Sequence, residues 1–158
     1  MNVSLRKAKA DDGPAVRALA TALIGVEADR RASFDAVLAS PDHDLVVAEV
    51  GGAVVGLAHL MVYDDLSHGA LAAELLGLVV REDLRRQGIG RQLLREVMRL
   101  AKQRGVGEFH INTEPDNDAA KALYASLGAE VVGVQMEIEL TSESGNESAC
   151  QREERSDL

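Results

Sequence analysis

The chain has no tryptophan, two tyrosines and two phenylalanines, so a surface on which single-stranded nucleic acid could stack its bases is hard to assemble. Its single cysteine, Cys150, has no second thiol to pair with. It lies in a polar stretch without a neighbouring His, which argues against a catalytic or metal-bound thiol. Long apolar runs are also missing: the longest, Ala53 to Val62, is interrupted by His59 and has about half of the ~20 residues a membrane span needs. Met1 to Ala10 contains no apolar stretch of signal-peptide length. These absences predict a cytoplasmic protein with no membrane partner. Positive charge is in short supply, with 17 Lys and Arg against 26 Asp and Glu and a net charge of −9. Long-range attraction to a phosphate backbone is therefore disfavoured and nucleic acid is not expected as a partner, whereas a cationic amine would be drawn in.

What remains is a chain of 158 residues that is 46% hydrophobic, enough for one domain with an aliphatic core. Val3 to Lys9 alternates apolar and basic residues as an edge strand would, and Asp11-Asp12-Gly13-Pro14 opens a first helix over Ala15 to Ile24. A second helical stretch, Ala32 to Ala39, stops before Pro41. Asp44 to Val50 and Ala53 to Met61 flank Gly51-Gly52 and read as a hairpin. Tyr63 to Gly69 reads as a polar loop. Ala72 to Val80 is a nearly continuous apolar run, predicting a central strand, and Arg91 to Arg104 carries Leu93, Leu94, Val97, Met98 and Ala101 on one helical face. Glu108 to Thr113 predicts another strand, Asp118 to Leu127 a last helix, and Ala129 to Val132 and Gln135 to Leu140 two closing strands. From Thr141 the composition turns to Ser, Glu, Asn and Arg, which cannot offset ordering entropy by burial. The expected organisation is a domain over 1–140 and a disordered polar tail over 141–158.

The chemistry concentrates in Leu78-Val79-Val80-Arg81-Glu82-Asp83-Leu84-Arg85-Arg86-Gln87-Gly88-Ile89-Gly90-Arg91. Two glycines let backbone approach an anion, successive N–H groups can point into the turn, and the following helix adds roughly half a positive charge at its N-terminus. Arg85, Arg86 and Arg91 add formal charge, so the segment reads as a pyrophosphate cradle. It lacks the Gly-Lys-Ser/Thr of a Walker A loop and the third glycine of a dinucleotide fingerprint. On its own the pattern is also what a tight strand-to-helix turn with solvated arginines would show.

Arg85-x-x-Gly88-x-Gly90 resembles the R/Q-x-x-G-x-G/A signature of the GNAT acyltransferase superfamily. Asn117-Asp118-Ala119-Ala120-Lys121-Ala122-Leu123-Tyr124-Ala125-Ser126-Leu127-Gly128-Ala129 is similar to that family's second signature, N-x-x-A-x-x-L-Y-x-x-L-G-F, with Ala129 where Phe is common. The resemblance is clear from about Ala72 to Leu140 and agrees in element order from Val3. It implies an α+β GNAT fold: a mixed twisted sheet of about six to seven strands flanked by four helices, with the cofactor at a splay between two central parallel strands. It further implies acetyl-CoA as acyl donor, with main-chain groups of Leu78, Val79 and Val80 on the pantetheine arm, Asn117 also contacting that arm, and the turn through Arg85, Arg86, Gln87, Gly88, Ile89, Gly90 and Arg91 on the pyrophosphate. The acceptor would be a small-molecule or protein amine, and a homodimer is compatible with the family.

Acyl transfer from a thioester needs a neutral amine, donors for the oxyanion and a proton for the departing thiolate. An alkyl amine of pKa near 10.4 is roughly 3.4 units from neutral pH, about 4.6 kcal/mol, so a base would lower the barrier. Glu74, the acid within the central strand, lies where several GNAT enzymes keep a catalytic glutamate; a solvent-facing or Arg-paired Glu would look the same. Tyr124 matches the family's general acid, and could alternatively pack against the sheet. His43, His59, His68 and His110 show no mutual metal-ligand spacing, so zinc is disfavoured and no metal is expected. His68, with Asp64 and Asp65, lies in a loop where some family members contact substrate, or is simply solvated. The ribosomal-protein N-terminal type is disfavoured because its glutamate five residues before the asparagine corresponds here to Asn112. The leading expectation is an N-acetyltransferase acting by direct attack in a ternary complex. The alternatives are a non-catalytic acyl-CoA-binding regulatory domain and an unrelated nucleotide-phosphate-binding protein.

Overall fold

The computed structural model describes residues 2–24, 31–136 and 138. Five strands form one sheet in sequence order, β1 (Ser4–Lys7), β2 (His43–Val50), β3 (Ala53–Asp65), β4 (Ala70–Val80) and β5 (Glu108–Ile111). Strands β1 to β4 are antiparallel neighbours, and β5 joins β4 in parallel. The helices are α1 (Gly13–Ile24), α2 (Arg31–Ala39), α3 (Ile89–Gln103) and α4 (Asp118–Ala125). The mixed sheet and four helices are those expected, but the described residues give five strands rather than six to seven.

The difference lies at the C-terminal end. Residues 129–136 have no regular secondary structure, and Val131, Val132, Val134 and Met136 are each at least 89% exposed. Their alternation and β-branching favour a strand, yet strand propensity expresses itself only against a neighbouring row of side chains, and none lies against them here. The expected strand over Ala129 to Val132 is therefore absent. Of that over Gln135 to Leu140 only Gln135, Met136 and Ile138 are described, and the expected tail over 141–158 lies outside the described residues. A second correction concerns Tyr63 to Gly69: Tyr63, Asp64 and Asp65 continue β3, paired with Ala72, Leu71 and Ala70, because strand pairing satisfies their backbone regardless of side-chain polarity.

The hairpin between β2 and β3 turns on Gly51 and Gly52, whose φ of 59° and 82° are the two left-handed positions of a primed turn matched to sheet twist. Two cores sandwich the sheet. On one face α3 buries Ile89, Leu93, Leu94, Val97 and Ala101 against Val46, Ala58, Leu60, Ala73 and Leu75. Gly56 permits this approach, since a Cβ there would stand 3.0 Å from Leu93 and 3.2 Å from the Val79 carbonyl. On the opposite face Val16, Leu19 and Phe34 from α1 and α2 cover Leu45, Val47, Leu57 and Val79.

Candidate active site

Two features of β4 create the site. The first is where pairing with β5 stops. β5 pairs with Ala72 to Leu75 only, while β3 remains paired with β4 to Val80. From Leu76 to Val80 the β4 edge that faces away from β3 has no strand partner among the described residues. That edge offers unpaired backbone donors and acceptors over four to five residues, and such groups seek partners. The second is a bulge: Leu60 pairs with Leu75 and His59 with Gly77, so Leu76 is the extra residue and is 43% exposed. The bulge resets alternation, placing Gly77 and Val79 on the same face as Glu74.

At the C-terminal end of β4 the chain makes the turn singled out from sequence. Arg86 has φ 60° and Gly88 φ 84°, two left-handed residues that fold the chain back into α3. Gly88 is the N-cap of α3 and no side chain caps it, so the first-turn N–H groups point outward as a helix N-terminus does towards an anion. Arg85 Nε donates to the Val80 carbonyl at 3.0 Å and Arg91 to the Ser126 hydroxyl at 2.9 Å. Gln87 lies beside the Asp83 carbonyl, 3.5 Å away. Val80, one of the three residues whose main-chain groups the resemblance assigns to the pantetheine, thus has its carbonyl held by Arg85. A Cβ on Gly90 would lie 3.8 Å from both Leu123 and Val80, so the start of α3, the end of β4 and α4 meet there.

Helix α4 flanks this free edge. Asn117 is its N-cap, accepting from Ala120 N–H at 3.1 Å through its side-chain oxygen, which leaves its amide NH2 as the group available to a ligand. Tyr124 is half-buried against the α3-side core, and burial holds its phenol above its ordinary pKa.

Glu74 pairs across the sheet with Met61 on β3 and His110 on β5. Its carboxylate accepts from Asn112 Nδ2 at 2.7 Å. Opposed residues share a face, and this face also carries Tyr63, Glu108 and Asp65. Tyr63 Oη lies 3.0 Å from His110 Nδ1. Burial, and then Glu74, Asp65 and Glu108, hold the Tyr63 phenol above its usual value. The result is an open, acidic stretch of sheet next to the end of α1, where Leu23 lies against Gly77. Tyr63, His110 and Asn112 were missed from sequence, although Glu108-x-His110-x-Asn112 alternates polar residues on one face of a strand and signals a solvated or functional face. His43 and His59 lie further along the same face, opposite Met61 and Gly77, as a mutual pair 2.8 Å apart. A depression between β1, β2 and α2 is lined by Lys7, His43, Asp44 and Arg104, but Asp44 already pairs with both Lys7 and Arg104.

The family model described as "Acetyltransferase (GNAT) family" matches residues 15–129. The chain belongs to the GNAT acetyltransferase family. Among GNAT proteins it is similar to the N-alpha-acetyltransferase RimI of Mycobacterium tuberculosis (strain ATCC 25618 / H37Rv), 36% identical over 104 residues, 66% of this chain and 63% of that protein. It is also similar to the [ribosomal protein bS18]-alanine N-acetyltransferase of Escherichia coli (strain K12), 41% identical over 56 residues, 35% of this chain and 38% of that protein. The chain spans under two thirds of the length of these curated relatives. A solved structure of a putative acetyltransferase from Agrobacterium tumefaciens str. C58 superposes with a TM-score of 0.78 at 26% identity, covering 87% of this chain and 99% of that one. Among the described residues no helix is long and apolar enough to cross a membrane.

Proposed function

We propose that the chain is an N-acetyltransferase that carries the acetyl group of acetyl-CoA to a primary amine by direct attack. The observation that carries this reading is the pairing of a free β4 edge at Leu76 to Val80 with an uncapped, left-handed turn at Arg86 to Gly88. An extended arm can add to the edge through main-chain hydrogen bonds, and a pyrophosphate can sit on the first-turn N–H groups of α3. Main-chain groups of Leu78, Val79 and Val80, the Asn117 amide and the turn from Arg85 to Arg91 would hold the donor. Arg85 and Arg91, now on Val80 and Ser126, are within a side-chain rotation of the turn and supply charge.

In the reaction the amine nitrogen forms a bond to the thioester carbonyl carbon and the carbon–sulfur bond breaks. Glu74 takes the proton lost by the amine, directly or through water, with Asn112 holding the carboxylate in place. Main-chain N–H groups of β4 near the Leu76 bulge would supply the donors for the oxygen that becomes negative. Tyr124 gives its proton to the departing thiolate. Its raised pKa keeps it protonated at neutral pH, and desolvation of the thiolate supplies the driving force.

The acceptor reading is an amine with a positive charge when free in solution, since Glu74, Asp65 and Glu108 share the open face. The RimI relatives bring a protein N-terminal amine forward as one such acceptor. Asn112, in place of the glutamate that the ribosomal type carries there, points instead to a different arrangement of the base. Calorimetric titration with acetyl-CoA and with ATP tests the donor half of the reading. Saturable binding of acetyl-CoA and none of ATP is expected, and equal or absent binding of both would overturn it. Binding without turnover on any amine would favour the acyl-CoA-binding regulatory domain.

A further inference from the structure

At the β3–β4 turn the fold assembles residues that the sequence keeps apart. Asp65 ends β3, His68 lies in the turn and Glu108 opens β5. One donor atom from each lies within 4.8 Å of the others. We propose that Asp65, His68 and Glu108 form a binding site for one divalent transition ion of the zinc class. The site shares Asp65 and Glu108 with the face proposed to draw the amine, and its test reads ion binding rather than acyl transfer.

Three observations support it. The donor set is chemically apt: one imidazole and two carboxylates suit zinc-class ions, which take nitrogen and oxygen ligands at about 2.0–2.2 Å. Donors on a tetrahedral ion of this class stand about 3.4 Å apart, so donors that lie within 4.8 Å of one another reach it by rotation of the exposed Glu108 side chain. Asp65 is set in advance: its Oδ1 accepts from Ser67 N–H at 2.9 Å and His68 N–H at 3.3 Å, as well as from the Ser67 hydroxyl. This leaves Oδ2 hydrogen-bonded to His68 Nδ1 at 2.7 Å, a pair that an ion would take over by displacing the shared proton. Glu108 is oriented by an outer partner: when Tyr63 O–H donates to His110 Nδ1, the ring proton resides on Nε2, which lies 3.4 Å from Glu108 Oε2. Ligating carboxylates held by hydrogen-bonded outer groups are the usual construction of a metal site. Spacing among the histidines could not show this site, because only one of them belongs to it and its third ligand lies 40 residues from the second.

An ion there would clasp the β3–β4 turn to the start of β5, at the rim of the open acidic face, and offset two carboxylate charges. Tag-free full-length protein, stripped with chelator and dialysed, is titrated calorimetrically with Zn2+ and separately with Co2+, and melted with and without Zn2+. The expected result is one ion per chain and a melting temperature raised by a few degrees. His68→Ala and Glu108→Gln should each weaken binding at least about tenfold and lose the thermal shift, with unchanged circular dichroism. Binding of less than one ion per chain by the wild type, or binding undiminished in either variant, would overturn the assignment. Glu108→Gln keeps the side-chain shape, so loss of binding there reports ligation rather than misfolding.

Discussion

Under the proposed mechanism Tyr124 and Glu74 have opposite proton tasks, and their surroundings differ. The Tyr124 phenol is held above its ordinary range by burial, so it is a proton donor across physiological pH. Tyr124→Phe removes the hydroxyl and keeps the ring that packs on the α3-side core. Steady-state thiol release should fall about 10²-fold or more in kcat, with acetyl-CoA affinity by calorimetry unchanged within about twofold. Equal loss of affinity would reduce Tyr124 to packing. Glu74→Gln keeps the hydrogen bond from Asn112 in shape and loses only the base. Its kcat/KM should drop by about 10²-fold at pH 7, and raising the pH, which deprotonates the free amine, should recover part of the loss. A loss independent of pH would argue against a proton-accepting role.

The turn between β4 and α3 is where element-scale and functional demands meet. Gly88 at φ 84° has open space where a Cβ would go, so Gly88→Ala introduces no clash, only the left-handed backbone cost of about 1–2 kcal/mol. The thermal midpoint should fall by several degrees, and acetyl-CoA affinity should weaken as the turn relaxes away from its left-handed geometry. An unchanged affinity, read by calorimetry, would mean that the turn is architecture alone. This turn and the amphipathic α3 were legible in sequence because local rules, glycine placement and a strong helical period, decide them. Tyr124 was singled out by the second family signature and Glu74 as the acid within the central strand, and the mutations above test both roles. The splay was visible only as an implication of the resemblance, since where β5 leaves β4 depends on long-range pairing. Tyr63, His110 and Asn112 were illegible as a group for the same reason: they converge through cross-strand register, which no single segment encodes. The expected strand over Ala129 to Val132 failed because its apolar, β-branched pattern names a strand without naming its partner.

Across the whole molecule, charge and burial set the response to pH. Arg6 links Asp12 and Glu49, and its hydrogen bonds hold Asp12 below the usual carboxyl value. Burial pushes Asp44 up, but Lys7 and Arg104 together outweigh it and hold it low. Both acids contribute stability above their unfolded pKa that is lost as pH falls through the lower folded one. His59 loses stability from a higher pH. Burial, then the neighbouring His43, lowers it from 6.5 to about 4, so between those values the unfolded chain binds a proton that the folded chain refuses. Stability should therefore decline as pH falls from about 6.5 to about 4, by on the order of 1–2 kcal/mol after allowance for partial solvent screening. His59→Gln should flatten that part of the profile in urea titrations at stepped pH, and an unaltered slope would show that His59 is not its source.

The β4 edge and the α3 turn are proposed to present acetyl-CoA to an amine for attack. Thiol release with acetyl-CoA, screened against polyamines, amino sugars, amino acids and N-terminal peptides, tests this most directly. CoA released only in the presence of one amine class, with the acetylated amine found by mass spectrometry, is the predicted result. No amine-dependent release from a protein that binds acetyl-CoA tightly would contradict it.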